Sequence, residues 1–157
     1  MKMSVQKAFL VLFVFVAFSC SKETAKDTNI EAENIEIVES ELLDIVNDYR
    51  VSLGYSSLEH NSIAYEQANK HNDYMISRGD LSHDNFSSRA SAISIELNAE
   101  FVAENVAKDY ATANEAFKGW LASSSHKKTM EGEFTHTAVS VKKDSNNKLY
   151  FTQLFFR

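Results

Sequence analysis

The feature that most limits how this chain can fold is its cysteine content, a single residue at Cys20. One cysteine excludes any disulfide within the chain, so the fold has to be held together by its hydrophobic core. The chain has 157 residues, which suits one domain. Residues 40–157 form the part that we expect to fold, and they are numerous enough to bury a core.

The first 19 residues are expected to be a signal peptide. A short basic start is followed by the apolar run AFLVLFVFVAF, which is too short for a spanning helix of about 20 residues. The segment ends at Cys20 and resembles a bacterial lipobox, where the signal is cleaved before a cysteine that is then lipidated. This resemblance implies a membrane anchor at Cys20, whereas the alternative is a free cysteine near an ordinary cleavage site.

Residues 20–39 are expected to be a flexible tether between the anchor and the domain, because residues 21–39 are polar and acidic. Cleavage before Cys20 would remove two lysines and no acid, which leaves a net charge of −8. Such a chain has no general attraction to nucleic acid. The expected location is the cell envelope, at the outer membrane or cell surface, facing the periplasm or the exterior.

Apolar periodicity predicts four helices. The first begins with Ser40 as its cap and ends at Gly54, and the second covers residues 58–79. A short helix is expected over residues 87–97 and a longer one over residues 112–130. The stripe that defines the first helix consists of Leu42, Ile45, Val46, Tyr49 and Leu53.

Strand patterns are confined to the second half of the chain. The segment AEFVAENVA favours a strand, with Phe101, Val102 and Val106 as expected buried positions. Residues 134–141 and 148–156 alternate and are joined by turn residues, which predicts an antiparallel hairpin. Because helices come first and the hairpin last, without βα alternation, the expected fold class is α+β.

Three polar residues are the main site candidates. Glu104 lies inside an apolar segment, where a carboxylate without a partner is costly to bury, unless it ends a strand in water. His83 lies in the loop sequence LSHDNF, where it is either a surface residue or part of a site. His126 closes the last predicted helix, and a cation at a helix C-terminus is favourable without any further role.

The remaining candidates have structural explanations of equal or greater weight. His136 shares a strand face with Phe134, and Glu133 precedes it by three residues, so these two form a second tier. His60 is expected in solvent, and both His71 and Trp120 are expected in the core. Arg89 is expected to be a surface or structural ion-pair group.

Five motifs, in this order, resemble the bacterial, SCP-like branch of the CAP superfamily (cysteine-rich secretory, antigen 5 and pathogenesis-related proteins). They are LLDIVNDYR…LGYSSLEHNSIAYEQA, RGDLSHDNF, AENVA, AFKGWLASSSHKKTM, and the closing pair FTHTAVSV and YFTQLFF. The resemblance covers residues 40–157. It implies an α–β–α sandwich with a three-stranded antiparallel sheet between helical layers.

The resemblance also implies a cleft formed by His83 and Glu104, which His126 joins in bacterial members. The eukaryotic branch has a second glutamate where this chain has Lys118, and a second histidine where it has Glu133. The four-residue His–Glu–Glu–His set of that branch is therefore incomplete here.

Three functions remain open at this point. The first is an anchored extracytoplasmic domain whose cleft binds a small apolar molecule, a peptide, an envelope component or a metal. The second is a metal-dependent envelope hydrolase, peptidase or esterase, in which His83, Glu104 and His126 hold zinc. The third is a structural or interaction module. The folded region has no serine in an elbow motif that would mark a nucleophile.

Overall fold

The computed structural model describes residues 32–157. The signal peptide, the lipidation of Cys20 and most of the tether are predictions that lie outside the described residues. Within residues 32–157, no helix is both long enough and apolar enough to cross a bilayer.

The fold is α+β, as predicted. Two long helices and a shorter one come first, and the long hairpin comes last. The elements, in chain order, are β1 (Glu33–Asn34), α1 (Glu36–Ser52), β2 (Glu59–His60), α2 (Ser62–Arg78), α3 (Phe86–Leu97), β3 (Val102–Lys108), α4 (Ala113–Ala122), α5 (Ser124–Met130), β4 (His136–Lys143) and β5 (Leu149–Phe156).

Three long strands build the sheet in the order β4-β5-β3, and both of their pairings are antiparallel. Two strands of two residues each add to the outer edge of β4: β1 is antiparallel to it, and β2 is parallel to it. The predicted three-stranded sheet is therefore extended to five strands. Strands of two residues are too short to produce an alternation pattern, so the sequence did not indicate them.

The two faces of the sheet pack against different helices. From β5, Phe151 and Phe155 join a core with Leu42 of α1 and Trp120 of α4. On the opposite face, Leu154 and Phe156 pack with alanines of α2 and with Ile93 of α3. Every residue of β5 is buried, as expected for a central strand covered on both sides. These layers form the expected α–β–α sandwich.

The domain begins earlier than the sequence predicted. The first helix starts at Glu36 instead of Ser40, and residues 33–39, assigned to the tether, form β1 and the first turn of α1. The Ile35 N–H donates to the Val141 carbonyl at 2.8 Å, which attaches this segment to the edge of the sheet. The acidic composition of this segment predicted a tether. It gave no sign of the attachment, because an edge pairing uses backbone groups instead of apolar side chains.

Two other helix boundaries also differ from prediction. The second helix starts at Ser62, because the Asn61 side chain accepts hydrogen bonds from the N–H groups of Ile63 and Ala64. The helix predicted over residues 112–130 breaks at Ser123, which has an extended backbone (φ −98°, ψ 118°). The break turns α5 toward β3, so it helps to place His126.

Phe101, which was expected to be buried, is 56% exposed. It precedes β3, and its ring lies 4.6 Å from the Arg157 guanidinium. Val106 is buried as expected, whereas Val102 is only partly buried.

Candidate functional site

The site is organised around the Glu104 carboxylate. Glu104 lies on β3, on the face covered by α2 and α3, and its side chain is 1% exposed. A carboxylate at that depth needs charged or hydrogen-bonding partners to offset the loss of its hydration. The identity of those partners decides what the site can do.

Arg89 is the principal partner of Glu104. Its Nε donates to Oε2 and its Nη2 donates to Oε1, both at 2.9 Å, so the guanidinium binds the carboxylate in a bidentate manner. Its Nη1 also donates to the Asp84 carbonyl at 2.6 Å and thereby holds the loop that carries His83. The predicted ion pair exists, but Arg89 is buried and belongs to the site.

His83 joins the carboxylate from the open side. Its Nδ1 lies 2.8 Å from Glu104 Oε1, and its side chain is 51% exposed. Because the ion-paired carboxylate only accepts hydrogen bonds, Nδ1 carries the proton in this contact. In the neutral ring, Nε2 is then left as an acceptor.

His71 lies buried beside Glu104, on the side away from solvent. Its Nε2 lies 2.8 Å from the Ser82 carbonyl and 3.9 Å from Glu104 Oε1. Burial lowers the pKa of His71, although Glu104 acts in the opposite direction, so the ring is neutral and donates from Nε2. The sequence predicted a core histidine and the burial is confirmed, but its contact with the site was not predicted.

His126 stands opposite His83, with ring centroids 6.4 Å apart. Burial lowers its pKa, and the neighbouring His83 acts in the same direction. It is the third residue of α5, so the expectation that it closes a helix is wrong. The Asn105 side chain donates to the His126 carbonyl at 3.1 Å and ties α5 to β3. Asn105 was not singled out from the sequence beyond its place in the AENVA motif.

The second-tier candidates lie elsewhere. His136 stacks on Phe156 with centroids 5.2 Å apart, and its Nε2 lies 3.8 Å from Glu59. The Glu133 side chain is 86% exposed, with its nearest cation at 3.9 Å on Arg157. Because β5 separates β4 from β3, His136 is two strand spacings, about 10 Å, from the strand that carries Glu104.

The donor set does not fit the expected zinc ion. Both oxygens of Glu104 already accept from the Arg89 guanidinium, whose positive charge would oppose a bound cation. The His83 nitrogen nearest to Glu104 is occupied by that same contact. Across residues 32–157, no three His, Cys, Asp or Glu side chains form a group suited to hold a metal ion. Zinc ligation by Glu104 together with the two histidines would require Arg89 to leave Glu104.

Comparison with known proteins identifies the domain. A family model described as CAP, the cysteine-rich secretory protein family, matches residues 43–155. A curated relative from Bacillus subtilis (strain 168), "Uncharacterized membrane protein YlbC", is 30% identical over 125 residues. That alignment covers 76% of this chain but only 34% of the relative, so the chain spans about a third of that protein.

Solved structures share the fold at low sequence identity. An outer surface protein of Borrelia burgdorferi has a TM-score of 0.72 at 18% identity, and the match covers 80% of this chain and 98% of that protein. An extracellular protein of Bacillus anthracis that contains an SCP domain has a TM-score of 0.67 at 22% identity, with coverages of 78% and 41%. A cysteine-rich secretory protein of Staphylococcus aureus has a TM-score of 0.66 at 16% identity, with coverages of 77% and 38%.

Proposed function

Because the chain belongs to the cysteine-rich secretory protein (CAP) family, we propose that it is an extracytoplasmic, membrane-anchored domain that binds a ligand in the cleft between His83 and His126. The ligand class that the geometry favours is a peptide or another molecule with N–H or O–H donors. A purely apolar ligand would leave the ring nitrogens without partners.

One observation carries this proposal: a buried Arg89–Glu104 pair orients a half-exposed imidazole. Glu104 Oε1 lies 2.8 Å from His83 Nδ1 and accepts its hydrogen bond, so the Nε2 acceptor is directed away from the carboxylate. Arg89 neutralises the carboxylate and fixes its orientation.

The direct test is peptide binding to an immobilised library of capped hexapeptides, with hits measured by calorimetry. We expect His83→Ala to weaken a confirmed hit about tenfold, since losing one buried hydrogen bond is worth about 1.4 kcal/mol. His136→Ala is the matched control, because this half-buried histidine lies outside the cleft. Unchanged affinity of the His83→Ala variant for a confirmed hit would show that the cleft is not the binding site.

The metal-dependent hydrolase and the interaction module make different predictions. Stoichiometric zinc in the purified protein, lost in both His83→Ala and His126→Ala, together with chelator-sensitive hydrolysis, would replace the present proposal with the hydrolase. A partner from envelope fractions that binds regardless of either change would favour the interaction module. The Arg89 contact with Glu104 is the reason that we place the hydrolase after ligand binding.

The membrane anchor is a separate part of the proposal. It is supported by the apolar N-terminal segment that ends at Cys20, and it agrees with the description of the Bacillus subtilis relative as a membrane protein. Metabolic labelling with an alkyne fatty acid tests it: the wild-type chain should be labelled and Cys20→Ser should not. Equal labelling of both chains, or of neither, would refute lipidation at this residue without affecting the proposed cleft.

A further inference from the structure

A second polar pocket lies at the outer edge of β4, on the other side of β5 from the strand that carries Glu104. It has a volume of about 290 Å³, close to the lower limit of small-ligand pockets. We name it the edge pocket. Its lining includes Glu36, Glu39 and Ser40 from the start of α1, together with His60, Tyr65 and Val139.

The backbone of Val139 faces this pocket. Odd-numbered residues of β4 turn their backbone groups away from β5, as shown by the bonds from Ile35 N–H to the Val141 carbonyl and from Asn61 N–H to the Thr137 carbonyl. Val139 lies between the segments that β1 and β2 cover. Apart from bonds within the strand ladders, no backbone group in residues 32–157 hydrogen bonds to its N–H or C=O, and at an odd position of β4 these groups are directed away from β5. Buried backbone groups are nearly always paired, so this pair suits the amide of a ligand.

The charge of the edge pocket is negative. Glu39 is buried and accepts hydrogen bonds from the Asn34 amide at 2.7 Å, the Tyr65 hydroxyl at 2.8 Å and the Val141 N–H at 2.8 Å. All three donors are neutral. Glu36 lies one turn earlier on the same helix face. Among the described residues, no basic nitrogen lies within 4.0 Å of either carboxylate.

Two aromatic rings complete the pocket. Those of His60 and Tyr65 meet edge to face with centroids 5.6 Å apart. Burial, together with the hydrogen bond to Glu39, raises the pKa of Tyr65 to about 12, so its hydroxyl keeps its proton and continues to donate. Carboxylates beside aromatic faces suit an organic ammonium group.

We propose that the edge pocket binds a lysine residue of an extended peptide. The main-chain N–H and C=O of the peptide pair with Val139 as a short added strand, and the ammonium group lies between Glu36 and Glu39. This site uses the opposite edge of the sheet from the His83 cleft, so it does not depend on the function proposed above.

The test is a titration of the full ¹⁵N-labelled chain, in detergent micelles, with N-acetyl-lysine N-methylamide. Two further probes separate the contributions: the norleucine analogue lacks the ammonium group, and n-butylamine lacks the amides. We expect saturable amide shifts at Val139, Ser40 and His60 with the lysine probe. Each incomplete probe should bind about tenfold more weakly or worse.

Variants link the shifts to the pocket. Glu36→Gln should raise the dissociation constant about fivefold, whereas Glu41→Gln, an exposed acid on the same helix that does not line the pocket, should leave it unchanged. His83→Ala should also leave it unchanged, which separates this site from the cleft. The proposal is overturned by shifts without saturation, by equal binding of the norleucine analogue, by equal effects of the two glutamate changes, or by shifts centred on His83.

Discussion

Arg89→Met is the most informative single change, because it removes the charge that neutralises Glu104 and keeps most of the side-chain volume. The variant loses both contacts to the carboxylate and the 2.6 Å bond to the Asp84 carbonyl. Removing one member of a buried ion pair leaves the other unpaired and typically costs about 3–5 kcal/mol. We expect a loss of that size in the free energy of unfolding, which for a domain of this length lowers Tm by about 10–20 °C.

A double-mutant cycle separates the pair from the packing around it. Glu104→Leu alone leaves a buried guanidinium and should also be strongly destabilising, whereas Arg89→Met combined with Glu104→Leu should be far less destabilising than the sum. Urea unfolding followed by circular dichroism measures the free energy of unfolding of the wild type, the two single variants and the double variant. Arg78→Met, an exposed arginine at the end of α2, is the control and should leave the midpoint nearly unchanged. Strict additivity of the two changes, or an Arg89→Met variant as stable as wild type, would refute the role assigned to this ion pair.

Two further predictions concern stability. The pKa values of His71 and His126 are lowered in the folded chain, so the unfolded chain binds protons first, and stability should decline as the pH falls below about 6.5. His71→Gln keeps a donor for the Ser82 carbonyl and should flatten that decline in urea titrations; an unaltered profile would contradict it. Arg50→Met removes donors from four carbonyls and should cost at least about 3 kcal/mol; a cost below about 1 kcal/mol would contradict the structural role of Arg50. The four carbonyls belong to Ser56, Met130, Gly132 and Phe134.

The family motifs indicated three residues that the structure brings near one another, and their role as a functional site stays a prediction. His83 and Glu104 are in direct contact, and the ring of His126 lies 6.4 Å from that of His83, an arrangement that agrees with the one the resemblance implied. Arg89 and His71 were named but not placed in the site, because a sequence pattern does not show which buried cation lies beside a buried carboxylate. The poor fit of Glu104 as a zinc ligand follows from the same omission, since its oxygens accept hydrogen bonds from the Arg89 guanidinium.

The sequence by itself determined the fold class, the hairpin and the apolar faces, because these depend on local periodicity and on short turns. Only the tertiary structure decided where the domain begins, which strands extend the sheet, and what charge accompanies Glu104. The edge of β4 is an example: β1 and β2 both attach there through backbone hydrogen bonds. Backbone groups are the same in every residue, so contacts of this kind leave no pattern in the sequence.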